Sequence, residues 1–180
     1  MNLKSLTASV AAVFIAGATH AQASPYMGEQ NRTIKSLSER EVEDLLSGQG
    51  MGLAKAAELN GYPGPTHVLR LADQLKLSEP QRSATQDLLT RHKAMAREMG
   101  ARLVEAERAL DRAFAHHHID HDRLAALTAE IGRLQAQLRA EHLGTHLAQT
   151  ALLSAEQAER YARLRGYAGD VTPTGGRHRH

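Results

Sequence analysis

His142 and His146 stand four residues apart in a stretch whose apolar residues recur every three or four positions, so both imidazoles leave one face of a helix. Two imidazoles one turn apart are what a helix can offer a transition metal. With 11 histidines in the chain such a pair arises easily by chance, so more weight falls on His92. That residue lies on an otherwise apolar stripe of an earlier helical run, where a lone imidazole is disfavoured unless something bonds it. The three together predict a metal site at His92, His142 and His146. Neutral imidazole suits Zn, Cu, Ni and Co alike, so the metal is left open, and nothing calls for an organic cofactor.

Weaker ligands surround this set. Met95 and Met99 follow His92 by about one and two turns and read first as core filler, second as thioether ligands that would favour copper. Glu98 and Glu141 could add oxygen ligands, though solvation on a helix surface explains them more simply. His116, His117, His118 and His121, mixed with Asp120 and Asp122, make either a weak surface site or a polar turn. His178 and His180 read as an adventitious chelating tail. No nucleophile is paired with a base and an orienting group, and neither a phosphate loop nor a carboxylate dyad is present, so the chain does not read as an enzyme.

Positioning His92 against His142 requires a helical hairpin. One stripe runs through Leu88, His92, Met95, Met99, Leu103, Ala106, Leu110 and Phe114, the other through Leu124, Leu127, Ile131, Leu134, Leu138 and His142. If the two runs fold back at residues 116–120, facing residues should have numbers summing to about 233 or 234. Leu110 then meets Leu124, Leu103 meets Ile131, and His92 meets His142. Gly100 and Gly132, each costing about 1 kcal/mol in a helix, fall nearly opposite one another, which predicts a close approach of the two backbones.

Helix starts are written clearly. Ser38 with Glu41, Ser78 with Gln81, and Ser154 with Gln157 are capping boxes, in which each side chain satisfies a backbone N–H that the first helical turn leaves unpaired. Asp120 caps the returning helix. The boxes predict a short helix from Glu39 to about Leu46, a long one from Glu79 to Ala115, and a last one from 155 to about Arg165. Between them, residues 53–60 favour helix up to Asn60-Gly61, and Thr66 is expected to cap a further short helix. The fold class is therefore all-α, a long antiparallel hairpin with short N-terminal helices and a C-terminal helix. Two such long helices have more apolar face than the short ones can cover, which predicts a homodimer.

The ends are of another kind. Residues 1–23 combine Lys4, an apolar run from Ala8 to Ala18 and a small-x-small Ala21-Gln22-Ala23, the pattern of a cleaved secretory signal. Residues 24–37 read as a flexible lead-in, 38–167 as the helical domain, and 168–180 as a disordered His/Arg tail. No segment after the signal is apolar for the roughly 20 residues a membrane span needs, so a periplasmic protein is expected. Cysteine is absent, which leaves His, Met and carboxylates as the only metal ligands. The 22 basic residues nearly balance 20 acidic ones, and that balance together with export argues against nucleic acid.

Leu77-Ser78-Glu79-Pro80-Gln81 and Leu153-Ser154-Ala155-Glu156-Gln157 resemble the paired Leu-Thr-x-x-Gln motifs of the Spy/CpxP superfamily, with serine for threonine in both copies. The resemblance covers roughly residues 38–167, and residues 48–71 look like its branch of periplasmic heavy-metal sensor and resistance proteins. It implies a usually dimeric helical fold in the envelope stress response. Some members of that superfamily bind transition metals for sensing or resistance, through an envelope sensor partner. Others are ATP-independent chaperones for unfolded proteins, which is the alternative function here, and the arginines interleaved with glutamates along the hairpin would suit transient clients.

Overall fold

The computed structural model describes residues 24–167, so the expected signal and tail lie outside the described residues. The chain is all-α: α1 (Glu39–Leu46), α2 (Lys55–Glu58), α3 (Pro65–Arg70), α4 (Glu79–Ala115), α5 (His121–Ala151) and α6 (Ala155–Leu164). The two long helices, α4 and α5, pack antiparallel as a hairpin. Among the described residues no helix is long and apolar enough to cross a membrane.

All three capping boxes form with both of their hydrogen bonds, at the starts of α1, α4 and α6, and Asp120 accepts from the Arg123 N–H at the start of α5. The second and third boxes also meet each other. Gln81 Nε2 donates to Gln157 Oε1 at 2.8 Å and Gln157 Nε2 donates to Gln81 Oε1 at 3.1 Å. Gln81 reaches the Leu152 carbonyl as well, and Gln157 reaches that of Leu75. A glutamate in either place would lack the donors. In the first box, where no such neighbour exists, Glu41 does the same capping alone, and its hydrogen bonds from Ser38 hold its pKa below the usual glutamate value.

The hairpin register is the expected one. His92 meets His142, and Gln149 Nε2 donates to Thr85 Oγ1 at 3.2 Å. Along α5 the buried residues Ile131, Leu134, Leu138, His142, Thr145 and Gln149 form one continuous stripe. The seam changes character along its length. Leu103, Val104, Ala96, Ile131, Leu134 and Leu138 make an apolar core with Ile34 and Leu45, and Val68, Ala72, Leu75, Leu77 and Tyr161 make a second core at the open end. Between them lies a buried polar layer of Thr85, His92, His142, Thr145 and Gln149.

Four expectations need correction. The buried face of α4 runs through Ala96, Gly100, Val104 and Glu107 rather than Met95 and Phe114, which are 42% and 52% exposed, because α1 packs on that side. The close approach at Gly100 is to the Leu45 backbone of α1, whose carbonyl oxygen would stand 2.2 Å from an added Cβ, and nothing lies near Gly132. Helix α3 starts from Gly64 with Pro65 in its first turn, so Thr66 is inside the helix and not its cap. Proline's fixed φ already organises that turn. Part of the lead-in is anchored: Ile34 is buried in the first core, Lys35 bonds Asp111 through both its backbone N–H and its ammonium, and Ser36 donates to the buried Glu107.

Candidate metal centre

His92 and His142 face each other across the hairpin, with ring centroids 4.6 Å apart and planes at 73°. Both are buried, at 8% and 4% exposure. The bonding around His92 fixes its tautomer. Nδ1 lies 3.1 Å from Glu141 Oε1 and 2.9 Å from Thr145 Oγ1. A carboxylate only accepts, so Nδ1–H donates to it and Nε2 keeps the lone pair, the arrangement of a histidine prepared as a ligand. Glu141 is thus a positioning partner of His92, and Glu98 is exposed.

His142 has no such support. Its Nε2 is buried without a hydrogen-bond partner. Burial, with the charges of His92, Lys93 and His146 adding, pushes its pKa down to about 4, so the ring is neutral across the physiological range. A buried polar nitrogen left unpaired costs about 1 to 3 kcal/mol, a cost that coordination would remove.

His146 lies one turn beyond. Its Nδ1–H donates to the Tyr62 carbonyl at 2.7 Å, which again leaves Nε2 as the free lone pair. Gly64 makes room for this ring, since an added Cβ would come within 2.8 Å of His146 Cε1. His92, His142 and His146 all line one cavity of about 400 Å³, roofed by the loop of residues 48–52 and by α2 and α3. Gly48, at φ +65°, turns the chain out of α1 into that loop, and Lys93 holds it by donating to the Gly48 carbonyl at 2.8 Å. Among the described residues no three His, Asp or Glu side chains already converge on a single ion position, so closing three ligands on one ion takes a side-chain rotation. His146 is held at Nδ1 by the Tyr62 carbonyl, with Glu58 Oε2 3.7 Å from the same nitrogen.

The weaker candidates fall elsewhere. Met95 is exposed and Met99 packs on the first apolar core. His116, His117, His118 and His121 are all exposed at the hairpin tip, about 36 Å from His92 at 1.5 Å per residue, and His116 and His118 stand 6.3 Å apart ring to ring. They form no part of the cavity.

Two residues of the site carry no signal in the sequence. His67 of α3 and Glu58 of α2 line the same cavity, with His67 Nδ1 3.8 Å from Glu58 Oε1 and His146 Nδ1 3.7 Å from Glu58 Oε2. Glu58 also accepts from Tyr161 at 2.6 Å and Tyr167 at 3.1 Å and pairs with Arg165 at 3.4 Å, tying α2 to the C-terminal helix. Burial foremost, then Arg165, lowers the His67 pKa against the opposing pull of Glu58. No periodicity relates α2 or α3 to the hairpin, so neither residue could be found before the fold.

Comparison of the chain with protein-family models, curated proteins and solved structures finds no match.

Proposed function

We propose that this is an exported, periplasmic protein that binds a transition-metal ion, in sensing or resistance, and that His92, His142 and His146 are its ligands. The observation that carries this reading is the His92–His142 pair: two buried imidazoles edge to face, one oriented by a carboxylate and the other with an unpartnered nitrogen. A pair kept only for packing would be served better by apolar residues, which leave no polar atom unpaired. The paired capping boxes, so similar to those of the Spy/CpxP superfamily, support the same reading. The role is binding, without catalysis.

Titration of protein beginning at Ser24 and lacking the last four residues, with Zn, Cu, Ni and Co in turn, tests it. At least one metal should bind at micromolar concentration or tighter and raise the melting temperature, since a ligand that binds only the folded state stabilises by RT ln(1 + [L]/Kd). His92→Ala should weaken that binding at least tenfold and remove the stabilisation. Absence of micromolar binding, or a His92→Ala variant that binds as well as its parent, overturns the reading.

A further inference from the structure

On the two long helices, Arg82, Arg108 and Arg133 each pair with a glutamate one turn earlier. Arg112 and Arg123 differ. Arg112 has no acidic residue three or four positions away on either side, and the only one so placed for Arg123 is Asp120, which accepts from the Arg123 backbone N–H as the cap of α5. Among the described residues neither guanidinium is in an ion pair.

The turn of the hairpin brings these two arginines to one place. A notch of about 260 Å³ there is lined by Arg112, His116, His118 and Arg123, with Ala109 and the buried Ala113 completing it. His117, at φ +55°, turns the chain between the two imidazoles, whose ring centroids are 6.3 Å apart, and does not itself line the notch. No carboxylate lines it either. Asp111, beside Arg112 in sequence, is bonded by Lys35, and Asp120 and Asp122 lie at the exposed start of α5, outside the notch. Each guanidinium is a planar fork that matches two oxygens of one anion, and each neutral imidazole has one N–H to donate. A carboxylate offers a single pair of oxygens, so two forks in one notch suit a group with more. The volume, set against a water's share of roughly 30 Å³, leaves room for such a group with part of its hydration.

We propose that the notch at the hairpin tip binds a phosphate group, held by Arg112 and Arg123 with His116 and His118 as further donors. The chemistry is the same whether the group belongs to free phosphate or to a phospholipid headgroup. The site stands apart from the metal reading, since it shares no residue with the histidine cavity.

Protein beginning at Ser24, freed of metal with a chelator and dialysed, is titrated with inorganic phosphate at constant ionic strength while its backbone amide signals are followed by NMR. It is separately mixed with phosphatidylglycerol vesicles, with phosphatidylcholine vesicles as the reference of zero net charge. Phosphate should shift the signals of the tip and saturate at millimolar concentration or below. Arg112→Met with Arg123→Met should weaken this binding at least tenfold. Arg91→Met with Arg139→Met, which removes the same charge elsewhere on the hairpin, should change it less than twofold. All four side chains are exposed, so the variants should fold, and equal melting temperatures check that. Binding to phosphatidylglycerol vesicles that is lost in the tip variant assigns the phosphate group to a lipid. Vesicle binding that is absent or unchanged, beside lost phosphate binding, assigns it to free phosphate, and both results uphold the site. No phosphate binding by the parent, undiminished binding by the tip variant, or an equal loss in the Arg91 and Arg139 control overturns the inference. Phosphate bound only after a transition metal is restored overturns it as well, because the tip histidines would then be metal ligands.

Discussion

Replacing Gly100 with alanine is expected to destabilise the protein by about 3 kcal/mol, the upper end of what overpacking costs, while the same change at Gly132 should stabilise it by about 1 kcal/mol. Both glycines lie inside long helices, where alanine is the better former. They differ in what stands over them. A Cβ at Gly100 would come 2.2 Å from the Leu45 carbonyl oxygen and 2.8 Å from its carbonyl carbon, whereas at Gly132 it meets nothing within 4 Å. The obstacle at Gly100 is backbone, so no side-chain rotation relieves it. Helix α1 must lift away and take Leu45, a member of the first core, with it. Urea unfolding of the two variants measures both signs in one experiment. A Gly100→Ala protein as stable as its parent would show that α1 is not seated there.

Lowering the pH from 6.5 to 4 should cost the metal-free protein roughly 3 kcal/mol through His142 alone. The sign follows from where the proton goes. In the unfolded chain the imidazole takes a proton near 6.5, while in the fold it resists until about 4. Above 6.5 both states are neutral and the contribution is intact. Between the two values only the unfolded chain is charged, and stability is lost as pH falls. His67, also lowered, acts in the same direction. Glu41 and Glu130, both lowered carboxylates, add to the loss only at the acid edge of the window, below their ordinary value of 4.5. His142→Leu should flatten most of this slope, raise stability at pH 5 and abolish metal binding. Chemical denaturation at a series of pH values decides it. A slope unchanged in His142→Leu would place the titrating group elsewhere.

What could be read in advance follows a physical division. Helix starts are local, written in Ser38, Ser78, Asp120 and Ser154, and all four cap as expected. The His92–His142 contact was also legible, because a short turn between two long helices leaves little freedom in their register. Periodicity gives the apolar face of a helix but not the element that covers it. So the partner of Gly100, the seating of Ile34 and the burial of Ala96 in place of Met95 became visible only with α1 in position. The same limit hid His67 and Glu58, which short helices carry to the cavity from far away in the chain.

The mutual grip of Gln81 and Gln157 makes two distant helix ends a single thermodynamic unit. Each amide caps its own helix and holds the other's cap, so the first turn of α4 cannot fray without uncapping α6. In most helices the terminal amides open independently and exchange their hydrogens fastest. Here the amides of Gln81 and Gln157, which Ser78 and Ser154 hold, should exchange with one common opening free energy, and a substitution at either glutamine should speed both. The open end of the hairpin, where fraying would ordinarily begin, is thereby closed by a latch made of two copies of the same short motif.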